Sequence, residues 1–200
     1  LDSMIHWWRE HATALAPLLE RVDIVFVDEA ELALATGAAV PQVGAERLMS
    51  RGPEVVVVKR GSRGAWLLRR GAAPIATTAV TLTSAADPTG AGDAFAGAFV
   101  AALARWPGRG DAHALRLATA VASFAVEGVG VDRLLAATAR DVERRMAGLG
   151  FGWADITGTH LYTVHDIHSF LGEELVKRGA TRAGLGWHFA RPPVVDLDYE

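Results

Sequence analysis

The chain has 200 residues, of which 50% are hydrophobic, and a formal net charge of −3 at pH 7. This length suffices for a domain with a sizeable core, whereas the slightly acidic balance argues against a general nucleic-acid-binding protein. No apolar run reaches the length that spans a membrane, so no membrane association is expected. The absence of cysteine excludes disulfides and thiolate metal sites and fits a reducing, cytoplasmic environment.

The first third of the chain alternates helical patterns with apolar runs. Residues 1–20 place apolar side chains at helical spacing and are expected to form one helix. The runs Val22–Val27 and Val55–Val58 are rich in β-branched residues, which is typical of strands covered on both faces of a parallel sheet. A helix around Ala45–Arg51 separates them. These patterns predict an α/β protein.

Carboxylates follow the first of these strands directly, as Asp28-Glu29-Ala30-Glu31, and a short helix then ends at Gly37. Ligands of α/β proteins bind at the carboxyl ends of strands, so these acids could serve a site. Alternatively, they are ordinary helix-capping and first-turn acids.

A glycine-rich turn leads into the main helix, in the stretch from Ala86 to Phe99. Pro88 disfavours helical geometry before it, and an alanine-rich helix is predicted from the turn to about Arg105. The unpaired N–H groups of a helix N-terminus suit an anion. Asp93, in the first turn, could take a proton from a hydroxyl while these groups stabilise a transferring phosphoryl group. The alternative is a structural turn capped by an acid.

The run Asp-Pro-Thr-Gly-Ala-Gly-Asp-Ala-Phe at 87–95 resembles the C-terminal signature of the ribokinase-like (PfkB) family of carbohydrate and nucleoside kinases. The segments 2–8 and 122–134 resemble one bacterial subgroup of that family. The resemblance covers roughly Leu1–Met146 and only the C-terminal half of the kinase fold. It implies a three-layer α/β/α domain with a mostly parallel sheet over residues 1–149, followed by an unassigned, histidine-rich tail over 150–200.

The resemblance also implies roles for individual residues. Asp93 corresponds to the catalytic base, and the backbone of Gly90, Ala91 and Gly92 corresponds to the anion hole. The family's Asn-x-x-Glu motif, which organises Mg²⁺, water and the nucleotide phosphates, falls on Asp28 and Glu31. Asp28 replaces the asparagine, which adds negative charge near the phosphates.

Further positions correspond to the nucleotide and cation sites of the family. Lys59 and Gly61 correspond to residues that approach ATP, and Ser123 lies in the region that borders the adenine. Asp87 corresponds to a residue that helps to hold a monovalent cation, for which K⁺ is the candidate.

The resemblance predicts an ATP- and Mg²⁺-dependent phosphotransferase that acts on a hydroxyl of a sugar or nucleoside. The family's acceptor-binding half is not visible in this sequence. An alternative is therefore a truncated, non-catalytic nucleotide-binding or interaction module. Interior strands that lack neighbours also predict a marginally stable or homo-oligomeric chain.

Histidines raise a separate question of metal binding. His165 and His168 in the tail could share a helical face and bind a metal; the alternative is a surface or partner-contacting helix that runs from a capping box at Thr163 to Arg178. His6 and His11 stand too far apart on one helix to share a face, and they are expected to be independent surface residues.

Overall fold

The computed structural model describes residues 1–82, 85–128, 138–155, 159–163 and 171–189. The chain divides into two compact units, Leu1–Ala137 (unit 1) and Thr138–Glu200 (unit 2). The sequence-based boundary at 149/150 falls inside unit 2, because the amphipathic helix that begins at Ala139 belongs to that unit.

Unit 1 is built on a four-stranded sheet in the order β1-β2-β3-β4. Its strands are β1 (Ile24–Asp28), β2 (Val55–Lys59), β3 (Ala65–Arg69) and β4 (Ile75–Thr77). Strands β1 and β2 pair in parallel, whereas β3 and β4 are antiparallel to their neighbours. The sheet is therefore mixed rather than mostly parallel, because the short turn at Gly61–Arg63 permits only a hairpin between β2 and β3.

Helices cover both faces of this sheet. On one side lie α1 (Ile5–Glu10), α2 (Ala12–Leu19), α3 (Glu29–Thr36) and α4 (Pro41–Met49), and on the other α5 (Ala91–Arg105) and α6 (Gly110–Val126). Successive strand side chains point to opposite faces, so Val56 and Val58 pack with the first group, and Val55 and Val57 with the second. Two apolar layers on one sheet confirm the predicted three-layer α/β/α arrangement.

The helix expected over residues 1–20 is wrong in one respect, because it is broken at His11. This residue has φ −130° and ψ 24°, outside helical geometry, and it ends α1 and precedes α2. Of the apolar side chains in these helices, Trp8, Leu15 and Leu19 are buried, whereas Leu18 is 44% exposed.

Asp111 lies in the first turn of α6 and makes no capping hydrogen bond. Its two carboxylate oxygens instead accept hydrogen bonds from Arg69 on β3, at 2.6 and 2.7 Å. This bidentate pair raises the pKa of Arg69 and joins the helix to the sheet.

Unit 2 contains α7 (Ala139–Gly148), whose capping box joins Thr138 and Asp141. Two parallel strands, β5 (Thr159–Thr163) and β6 (Leu185–Phe189), pair within it. A π-helical turn at Leu171–Val176 lies within the predicted tail helix. The residue proposed to cap that helix, Thr163, is instead the last residue of β5, and His165 and His168 lie outside the described residues. None of the helices in the described part of the chain is long and apolar enough to cross a membrane.

Candidate functional site

Residues from three elements meet where β1 and β2 end. Asp28 and Lys59 are the last residues of these parallel strands and stand opposite each other in register. A methyl group added to Gly92, in the first turn of α5, would lie 3.1 Å from Lys59 Nζ and 3.9 Å from Asp2 Oδ2. The glycine turn therefore approaches the carboxyl ends of the strands, where α/β sheets place their ligands. We call Asp2, Asp28, Glu31, Lys59 and Gly92 the strand-end cluster.

The charged pair at the centre of this cluster joins residues 57 positions apart in sequence. Lys59 Nζ donates to Asp2 Oδ1 at 2.7 Å, and both side chains are only about one-fifth exposed, at 20% and 23%. Asp2 reaches this position because Leu1 and Asp2 pair with β1, through a bond from Phe26 N–H to the Leu1 carbonyl and a parallel bridge to Phe26. Sequence reasoning assigned Asp2 no role, since nothing in local spacing links it to Lys59.

The acids after β1 form a capping box for α3. The Glu31 N–H donates to Asp28 Oδ1 at 2.7 Å, and the Asp28 N–H donates to Glu31 Oε2 at 2.8 Å. The predicted capping function of these acids is thus confirmed, as is the left-handed Gly37 that ends the helix. Their predicted magnesium role stays a prediction.

Burial perturbs Glu31, which is only 4% exposed. It raises the pKa of this carboxyl, and repulsion from Asp28 and Asp2 adds to the shift, whereas the hydrogen bond from the Asp28 N–H and the charge of Lys59 oppose it. The capping bonds occupy one oxygen of each carboxylate. The second oxygen of each carboxylate is a donor of the type that Mg²⁺ prefers, and a divalent cation would offset the repulsion between these acids. The residues present therefore fit the ion.

Replacing Glu31 by glutamine separates two contributions of this residue to stability, that of its capping hydrogen bond and that of its buried charge. A raised pKa in the folded state means that stability is lost as the pH rises from the ordinary carboxyl value through the folded value. Because glutamine keeps an acceptor for the Asp28 N–H and removes the buried charge, Glu31→Gln is expected to be as stable as the parent at about pH 4. At about pH 7 it should be equal or up to about 1 kcal/mol more stable.

Urea unfolding at both pH values measures this difference. The exposed Glu46→Gln change in α4 serves as the matched control and should leave stability unchanged. A clear loss of stability in Glu31→Gln at neutral pH would show that the buried charge stabilises the fold.

The glycine turn sets up the N-terminus of α5. Gly90 precedes the helix with φ 78°, a left-handed conformation that a side chain would strain. The Ala91 N–H donates back to the Pro88 carbonyl at 3.2 Å, so it is already used in the turn. Helix geometry leaves the N–H groups of Gly92 and Asp93 without a carbonyl in front of them. Of the predicted anion hole, Gly92 is thus the donor best placed beside Lys59.

Asp93 occupies the third position of α5, and its side chain is exposed. It directly follows Gly92, the glycine that lies against the Lys59–Asp2 pair. An exposed carboxylate at this place can meet a substrate hydroxyl, as the predicted role of a base requires.

The structure also describes three further predicted site residues, Asp87, Gly61 and Ser123. Asp87 Oδ1 accepts from the Thr89 N–H at 2.9 Å, and these hydrogen bonds from Thr89 lower the pKa of Asp87. Gly61 has φ 55° and open space around it. Ser123 is buried inside α6, where its hydroxyl donates to the Ala120 carbonyl at 2.6 Å. The predicted roles of these three residues stay predictions.

A second charged group lies next to the cluster and was missed by sequence reasoning. Glu29 accepts hydrogen bonds from Arg60, at 3.1 Å, and from Arg63. The Arg60 guanidinium also lies 4.0 Å from the centre of the Trp66 ring. These contacts fix the turn after β2. The feature of the sequence that could have indicated this group is the pair of adjacent basic residues Lys59 and Arg60.

Comparison with solved structures identifies the class of fold. Arabidopsis thaliana ribokinase, solved with ribose and ATP, shares 30% identity with a TM-score of 0.56, and the alignment covers 68% of this chain and 44% of the ribokinase. The ribokinase-like (PfkB) resemblance and its three-layer fold are thereby confirmed for part of the chain.

A family model then identifies the family. The model described as "2-aminomuconate deaminase CnbZ" matches residues 65–200, and the chain belongs to this family. The match begins at β3, so it includes the glycine turn and α5 but not Asp28, Glu31, Lys59 or Gly61.

The curated relatives include a deaminase and two kinases. A 2-amino-5-chloromuconate deaminase of Comamonas testosteroni is 48% identical over 60 residues, 30% of this chain and 24% of the relative. A ribokinase of Arabidopsis thaliana is 34% identical over 117 residues, covering 55% and 30%, and a cytidine kinase of Thermococcus kodakarensis is 35% identical over 91 residues, covering 46% and 33%. The chain thus spans a third or less of each of these relatives.

Proposed function

We propose that unit 1 handles the phosphate of ATP in a phosphotransferase that acts on a hydroxyl of a sugar or nucleoside. One observation supports this most directly: the Lys59–Asp2 pair lies against Gly92, so a cation, helix-start N–H groups and an exposed carboxylate share one place. Phosphoryl transfer relies mainly on positioning and electrostatic stabilisation, and these are the groups that it needs.

Each group has a defined part in the proposed reaction. Asp93 accepts the proton of the acceptor hydroxyl, whose oxygen forms a bond to the γ-phosphorus as the bond to ADP breaks. The N–H groups at the start of α5 and the Lys59 ammonium stabilise the charge on the transferring phosphoryl oxygens. Asp28 and Glu31 would hold Mg²⁺, which neutralises phosphate charge when it is bound.

Gly92→Ala tests the anion-binding part of this proposal. The added methyl would stand 3.1 Å from Lys59 Nζ, so the lysine side chain must shift by a few tenths of an ångström. Alanine also favours the helix by roughly 0.5–1 kcal/mol. We therefore expect unchanged or higher thermal stability together with about tenfold weaker ATP–Mg²⁺ binding in isothermal titration calorimetry.

The chain offers a matched control at Gly97, in the same helix, where a methyl group would meet no atom within 4 Å. Gly97→Ala should give the same helix stabilisation with parental ATP affinity. Equal affinity in the two variants would contradict the placement of the phosphate.

A panel of sugars and nucleosides, assayed for ADP release, separates catalysis from binding alone. ADP release that depends on an acceptor supports the phosphotransferase. ATP–Mg²⁺ binding without turnover favours the alternative of a non-catalytic nucleotide-binding module.

Deamination of an aminomuconate is the second candidate function. The family match over residues 65–200 and the identity to a 2-amino-5-chloromuconate deaminase favour it. Muconates are dicarboxylates, so the same helix-start N–H groups could receive one of their carboxylates. Ammonia release from 2-aminomuconate without ATP would support this function. Release of ADP with a hydroxyl acceptor, and no ammonia, would support the first candidate.

A further inference from the structure

Three potential metal ligands converge on the surface where α1 ends. His6 and Glu10 stand four residues apart on α1, and His6 Nδ1 lies 3.2 Å from Glu10 Oε1. The rings of His6 and His11 have their centres 5.8 Å apart. One ligand atom from each of the three residues lies within 4.8 Å of the others, and all three residues are exposed.

The break at His11 creates this arrangement. On a continuous α-helix, residues five positions apart point about 140° away from each other, which would separate His6 from His11. The non-helical backbone of His11, with φ −130° and ψ 24°, instead returns its ring towards His6. Both histidines are surface residues as expected, but the expectation that they stand too far apart to share a face is wrong.

Trp7 supports both imidazole rings. Its ring centre lies 5.9 Å from that of His6 and 5.2 Å from that of His11. Packing against a large flat side chain limits the rotamers of the two histidines, so less conformational entropy is lost when they bind an ion together.

We propose that His6, Glu10 and His11 form a transition-metal site for Zn²⁺ or an ion of similar preference. Two imidazole nitrogens and one carboxylate oxygen are a ligand set that Zn²⁺ accepts, with a fourth position left for water. Ligand atoms about 2.1 Å from a tetrahedral ion stand about 3.4 Å from each other, so the observed spacing requires only small side-chain rotations. This site shares no residue with the Mg²⁺ ligands proposed above, and its nitrogen donors suit a softer ion than Mg²⁺.

The chemistry of the site suggests a structural effect. Glu10 and His6 belong to α1, whereas His11 lies at the junction with α2. An ion shared by these residues would fix the angle between the two helices, and binding to the folded state alone would raise the melting temperature.

Zinc titration of the whole chain, purified without a histidine tag, tests this proposal. We expect calorimetry to show a Zn²⁺ site whose affinity falls by at least about tenfold in His6→Gln and in His11→Gln, since even outer-shell partners of metals matter by about 10- to 100-fold. Glu10→Gln should also weaken binding. These side chains are exposed, so the variants should fold, and circular dichroism verifies this.

His113→Gln is the matched control, because His113 packs against Trp106 away from this group. It should bind Zn²⁺ as the parent does, with the same rise in melting temperature. The proposal is overturned if no Zn²⁺ binds, or if the His6→Gln, His11→Gln double variant binds it with the parent's stoichiometry and affinity. The latter result would assign the metal to other histidines.

Discussion

Turnover of the Asp93→Asn variant is expected to fall by about 10²- to 10⁴-fold, the range that a general base contributes. Asparagine keeps the size of the side chain but cannot accept the hydroxyl proton at neutral pH. Because Asp93 is exposed and stands in the first turn of α5, its replacement should leave folding nearly unchanged. ATP–Mg²⁺ affinity should stay within about threefold of the parent, since the N–H donors and Lys59 remain in place.

A coupled assay of ADP release measures turnover, and calorimetric titration measures the affinity for ATP–Mg²⁺. Asp23→Asn provides the control, because Asp23 is exposed just before β1, at the opposite end of the strand from Asp28. Parental turnover in Asp93→Asn would exclude Asp93 as the base. If the variant instead lost ATP affinity and turnover equally, the carboxylate would act in binding.

Phe99→Ala is expected to lower the free energy of unfolding by about 3–5 kcal/mol, a large part of the stability of a typical domain. Phe99 is fully buried in the layer between the sheet and α5. Its ring meets that of Phe26 on β1 edge to face, with centres 5.5 Å apart. Truncation would remove this contact and leave a cavity beneath the helix that carries Asp93.

Val100→Ala, at the next residue of the same helix, is the matched control. Val100 is 48% exposed, so its truncation should change stability by no more than about 0.5 kcal/mol. Urea unfolding followed by circular dichroism measures both variants. A loss below about 1 kcal/mol in Phe99→Ala would mean that the α5 layer adds little to the stability of unit 1.

The elements that could be predicted are those that local sequence determines. Uninterrupted apolar runs make up the first four residues of β1 and of β2, and such runs are typical of strands covered on both faces, so this pattern located the two strands. The glycine turn and the alanine-rich pattern that follows it located α5, which ends at Arg105 as predicted. The capping box at Asp28 also follows from spacing alone.

The features that could not be predicted depend on contacts between distant residues. The Lys59–Asp2 pair requires Asp2 to lie beside β1, which no local pattern indicates. Asp111 has the spacing of a helix cap, but a bidentate arginine on β3 competes for its carboxylate. No proline or glycine marks the break at His11, and the junction is instead surrounded by the rings of His6, Trp7 and His11, which meet edge to face or tilted.

Phe26 links the apolar layer to the charged residues at the end of the sheet. Its ring meets both Phe95 and Phe99, and its backbone bonds the segment that carries Asp2. A smaller residue at position 26 would change the position of the glycine turn relative to Asp2, even where the core tolerated the loss of volume. Directed evolution that selects only for soluble expression would therefore accept substitutions at residue 26 that selection for enzymatic activity would reject.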